Sequence, residues 1–119
     1  MAIKIEQALE NAGLPIESQN NIVKKKVLES FLLTYQNTWK EIEILTLDAK
    51  YNELEKIIHG LKSSAGGIGA FQLQTTVTLW NILLKKKIKK EKYSDLMHRT
   101  ISQLNETLNE IKKMVQSLN

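Results

Sequence analysis

Residues 94–118 read SDLMHRTISQLNETLNEIKKMVQSL. Within them Met97, Ile101, Leu104, Leu108, Ile111, Val115 and Leu118 recur at spacings of 4-3-4-3-4-3. A helix turns about 100° per residue, so this series falls on one narrow face. The stretch predicts a long amphipathic helix that must bury that face against other elements. Neither glycine nor proline follows Gly69, so nothing in the second half of the chain breaks a helix outright.

Working outward, the same signal returns three times. From Phe71 to about Ile88 the stripe is Leu73, Val77, Trp80, Leu84 and Ile88. From Tyr51 to Ala65 it is Leu54, Ile57, Ile58, Leu61 and Ala65. From about Asn20 to Leu45 it is Leu28, Phe31, Leu32, Tyr35, Trp39, Ile42 and Leu45. Trp39 and Trp80 both sit in stripes and are expected in the core. A short helix over about Ile3–Asn11, stopped by Gly13 and Pro15, would cap one end through Ile3, Ile5 and Leu9. Asp48 and Ser94 are expected as N-caps or first-turn acceptors, and Gly66, Gly67 and Gly69 as the break after Ala65. The expected fold is all-α: an up-down-up-down four-helix bundle over about residues 20–118 with a short accessory N-terminal helix near 3–12. It occupies one domain, 1–119, and a monomer is expected because the four stripes can satisfy one another.

Composition narrows the function. The 119 residues include 17 basic and 13 acidic side chains, one proline and no cysteine. A chain of this length does not hold a nucleotide-binding fold beside a substrate domain, which excludes a complete ATP-dependent kinase. Without cysteine there are no disulfides, no thiolate chemistry and no cysteine zinc site. No stretch approaches the length of a membrane span, and Met1–Asn20 lacks the pattern of a signal peptide, so a cytoplasmic protein is expected. The net charge of +4 is concentrated: Lys85, Lys86, Lys87, Lys89, Lys90 and Lys92, with Glu91, give residues 85–92 a charge of +5, leaving −1 for the rest. Such a patch either solubilises a helix end or steers an acidic partner. It contains no arginine and little aromatic interleaving, so nucleic-acid binding is the remote reading and no nucleic-acid or membrane partner is expected.

His59 is the candidate reactive residue. It lies at the margin of the stripe Leu54, Ile57/Ile58, Leu61, Ala65, on the polar arc with Glu55, Lys56, Lys62, Ser63 and Gly66. A lone helical histidine is ordinarily a plain surface residue. Here, however, four of the chain's five glycines (Gly60, Gly66, Gly67 and Gly69) cluster behind it, and a turn alone does not account for Gly60. Neutral imidazole is a usable nucleophile, and lysine one turn away can attract a phosphoryl group. Glu55 alone is no metal site. His98, beside Met97 and Arg99, has no second ligand at helical spacing and reads as a surface residue.

The run His59-Gly60-Leu61-Lys62-Ser63-Ser64-Ala65-Gly66-Gly67-Ile68-Gly69-Ala70 resembles the signature of histidine-containing phosphotransfer (HPt) domains, approximately H-x-L-K-G-[SA]-[SA]-x-x-[ILV]-G-[AL]. The match is direct at His59, Leu61, Lys62, Ser64, Ala65, Ile68, Gly69 and Ala70, and the resemblance extends over about residues 14–118. It implies a phosphorelay intermediate in a two-component system. His59 would accept a phosphoryl group from a receiver-domain aspartyl phosphate and pass it to another receiver aspartate. The chain would be a carrier without autokinase activity. The partners implied are receiver domains of a hybrid histidine kinase or a response regulator. Mg²⁺ would sit on the partner receiver, with no cofactor or metal on this chain.

By the same resemblance Lys62 would stabilise the phosphate charge. Asn81, where the family often has Glu or Gln, would orient the ring. Ser63 replaces the family's usual glycine and either narrows the clearance or contacts the phosphate. Lys56, Gly60, Gly66, Lys85 and Lys86 are the expected partner surface. The chief alternative is a non-catalytic helical interaction module with the same bundle. A kinase dimerisation helix fits less well, because Gly60 follows the histidine and Ser64 stands at the expected proline.

Overall fold

The computed structural model describes residues 2–119. Six α-helices form in chain order: α1 (Ile5–Asn11), α2 (Asn21–Tyr35), α3 (Thr38–Leu47), α4 (Tyr51–Ile68), α5 (Phe71–Lys86) and α6 (Tyr93–Ser117). Single 3₁₀ turns occupy Ile16–Ser18 and Lys90–Lys92, and no strand occurs among the described residues. The helices α2 and α3 together make one rod, and with α4, α5 and α6 they build a four-rod bundle. At 1.5 Å per residue α6 spans about 37 Å, which sets most of the 45 Å long axis.

The four stripes meet as expected. Leu28, Ile42, Leu54, Ile58, Leu61, Leu73, Val77, Trp80, Leu104 and Ile111 are completely buried. Burying side chains of this size contributes about 1.5–3 kcal/mol each, which is what holds the rods together. The N-terminal helix packs on α4, burying Ile3, Ile5, Ala8 and Leu9. Lys4 donates its backbone N–H to the Gly69 carbonyl at 3.0 Å, which pins this segment across the end of α4.

Five local expectations are corrected. The first rod is not continuous: it breaks at Gln36–Asn37, where Asn37 leaves helical geometry at φ −118°. The inward positions nevertheless continue through it at spacings of 3-4-3-4, as Leu28, Phe31, Tyr35, Thr38 and Ile42. Ile42 is buried as expected, but Thr38 takes the inward position beside it, and Trp39 lies half-exposed outside the core with the Lys40 ammonium 5.5 Å from its ring centre. Asp48 is not an N-cap; it follows the last turn of α3, and Lys50 precedes α4. Ser94 lies inside α6, which starts at Tyr93 because the preceding 3₁₀ turn feeds straight into it. Gly66 and Gly67 are helical, and α4 runs on to Ile68; Gly69 alone makes the break, at φ +82°. Finally, α5 stops at Lys86, so Ile88 is 44% exposed rather than core.

Gly69 is fixed by two demands. Its left-handed backbone suits glycine, and a Cβ there would overlap the Lys4 backbone. The N-terminal segment therefore docks where glycine leaves room for it.

Candidate functional site

The buried residues of α4 are Leu54, Ile58, Leu61, Ala65 and Ile68, again at spacings of 4-3-4-3. That register turns His59 outward, and the structure leaves it exposed together with Lys56, Gly60, Ser63 and Gly67. Glu55, Lys62 and Gly66 are half-buried on the side facing α5. Two contacts define that side. Asn81 Nδ2 of α5 donates to Glu55 Oε1 at 3.0 Å, and the Gln74 side chain of α5 covers Gly66. On the opposite side Tyr35 of α2 shares a 2.7 Å hydrogen bond with Ser64 of α4. A cleft of about 210 Å³ opens there, lined by Phe31, Thr34, Tyr35, Ser64 and Gly67 among others.

His59 thus stands on an outward ridge with no side chain hydrogen-bonded to its ring among the described residues. Lys62 carries no carboxylate partner, because the one ion pair among the described residues is Lys24–Glu6 at 3.1 Å. The site consequently presents an accessible imidazole with a free cation one turn on. Small residues flank it. A Cβ at Gly60 would meet only the Tyr35 hydroxyl at 3.9 Å, and one at Gly67 would meet nothing within 4 Å. These two positions are open to solvent.

The expected surroundings come together only in part. Ser63 is exposed on the His59 face and keeps no hydrogen bond among the described residues, so its hydroxyl is free for an incoming group. Asn81 is 2% exposed and spends its amide on Glu55 rather than on the ring. Gly66 is not open clearance, since Gln74 already fills the space beside it. The lysines Lys85 and Lys86 are exposed at the end of α5. Lys85 lines a cleft with Asn52 and Glu55, and Glu55 is one turn before His59, so the basic run borders the same side of α4. His98 is exposed on α6. Among the described residues no three His, Cys, Asp or Glu side chains converge as a metal would require.

The roles of Tyr35, Gln74 and Glu55 here are not legible in the sequence. Tyr35 is in the apolar stripe, and its hydroxyl has no periodic signature. Glu55 was legible as the residue one turn before the histidine, but its bond to α5 depends on the pairing of helices. Compared with known proteins, the chain matches no protein-family model, no curated protein and no solved structure.

Proposed function

We propose that this chain is a phosphoryl carrier, accepting a phosphoryl group on His59 from a receiver aspartyl phosphate and passing it to a second receiver. The observation that carries this reading is the uncapped, exposed imidazole of His59 with unpaired Lys62 one turn away. A histidine buried or held by a neighbouring side chain would have argued for the purely structural alternative.

The unprotonated ring nitrogen of His59 donates its lone pair to phosphorus. The P–O bond to the aspartate breaks, and the carboxylate leaves with the bonding pair. The remaining ring N–H stays in place, so no base has to remove a proton for the attack. Positioning and charge neutralisation supply most of the rate in such a transfer. Lys62 attracts the equatorial oxygens, and Ser63 offers a donor beside them. Open positions at Gly60 and Gly67 let the partner surface approach the ring. Lys85 and Lys86 raise the encounter rate with an acidic receiver face. Mg²⁺ belongs to the receiver's own acidic pocket.

The test is incubation with a panel of phosphorylated receiver domains. Wild type should acquire an acid-labile, alkali-stable phosphoryl group, and His59→Gln should acquire none. Equal labelling of both proteins would refute the assignment. A second reading, a bundle that binds partners without transfer, draws on Asn81, whose amide is committed to Glu55 rather than to the ring. It predicts receiver binding with no label on wild type.

A further inference from the structure

At the end of the bundle where α4 begins and α5 stops, a cleft of about 320 Å³ lies between Ala49–Glu53 and the loop after α5. Lys50, Lys87 and Lys90 line it, with Tyr51, Tyr93 and Leu84 as its apolar wall. Tyr51 and Tyr93 meet edge to face, ring centres 5.0 Å apart, and the Lys90 ammonium lies 5.6 Å from the Tyr51 ring centre. A second cleft of about 220 Å³ shares Asn52, Leu84 and Lys87 with the first and adds Lys85. Four lysines therefore converge on one concave region.

Their charges are not internally neutralised. Glu53 lines the cleft, yet no lysine of this region has a carboxylate oxygen within 4.0 Å, since Lys24–Glu6 is the sole ion pair among the described residues. Glu55 in the adjoining cleft accepts the Asn81 amide instead. The backbone tells the same story. Ala49, Lys87 and Lys89, at φ 55°, 57° and 59°, are the three non-glycine residues with positive φ among the described residues, and all lie at this end. Glycine would occupy these positions without strain. Lys87 lines both clefts despite that cost.

We infer that this cleft is a binding site for a compact oligophosphate, either inorganic or the phosphate tail of a nucleotide. Lysine ammonium groups are point charges suited to phosphate oxygens. The concave volume fits a small anion better than the flat face of a protein or a duplex. His59 lines neither cleft, so anion binding there requires no phosphotransfer.

The test is a titration of the whole protein at constant ionic strength, followed by backbone amide NMR, with tripolyphosphate, ATP and AMP as probes. Saturable shifts confined to residues 49–53 and 84–90 are expected with tripolyphosphate and ATP, and much weaker ones with AMP. Equal affinity for the first two would identify the phosphates alone as the ligand; tighter ATP binding would identify a nucleotide. Lys87→Gly should weaken binding by about fivefold or more while leaving thermal stability unchanged or higher. His59→Gln should bind as wild type does, which separates this site from the phosphotransfer reading. The inference is overturned if shifts never saturate or spread over lysines throughout the protein. It is equally overturned if Lys87→Gly binds normally, or if an acidic peptide saturates the cleft where tripolyphosphate does not.

Discussion

The outward placement of His59 was readable from sequence because exposure follows helical register, and the register of α4 is unambiguous; the half-burial of Lys62 depends on the packing of α5. Lys62→Ala should fold normally and slow transfer by about tenfold or more, measured as the rate of label arriving on His59. The partner of Asn81 was not readable. Glu55 and His59 stand one turn apart on α4, and the short reach of asparagine decides between them only once α5 is packed. Tyr93 offers a test of the packing itself. It is buried, and its hydroxyl donates to the Leu83 carbonyl at 3.0 Å. Tyr93→Phe should cost about 1 kcal/mol near neutral pH in denaturant unfolding. Burial first, then the neighbouring Tyr51 and Glu91, raises the phenol above its ordinary 10.0. The folded state thus holds that proton more tightly than the unfolded chain. Its contribution is complete below about pH 10 and is lost as pH rises through the raised folded value, so Tyr93→Phe should flatten the alkaline fall in stability.

At the scale of elements, the glycines of α4 and its cap separate packing from function. Gly67 is helical with open space where a Cβ would go, so Gly67→Ala should raise stability by about 0.5–1 kcal/mol in thermal or denaturant unfolding. Gly69→Ala should lower it by more than about 1 kcal/mol, because its φ of +82° and the Lys4 backbone both exclude a side chain. A Gly67→Ala protein that is more stable yet transfers more slowly would show that the glycine serves partner approach. The four stripes were legible because each repeats over many turns. The break at Asn37 was not, because the inward spacing runs through it without glycine or proline; nor was the burial of Thr38 in place of Trp39, since threonine carries no apolar signal at that inward position. Gly66 and Gly67 read as a turn in sequence, since glycine signals flexibility whether or not a helix continues through it.

For the whole molecule, the bundle places the exposed His59 ridge on α4, flanked by α2 and α5, and its basic run at the far end of α5. Reversing the charge at Lys85 and Lys86 together should slow association with a receiver and weaken its salt dependence, while transfer within the complex stays near wild type. The N-terminal segment closes the end of α4, and deleting residues 1–13 should lower stability by a few kcal/mol through loss of the buried Ile3, Ile5, Ala8 and Leu9. The central claim is that His59 both takes and gives a phosphoryl group. It is tested most directly by isolating the labelled protein, mapping the label, and adding a fresh unphosphorylated receiver with Mg²⁺. The account predicts label on His59 alone and its loss to the receiver aspartate. Label on another residue, or label on His59 that no receiver can remove, would contradict it.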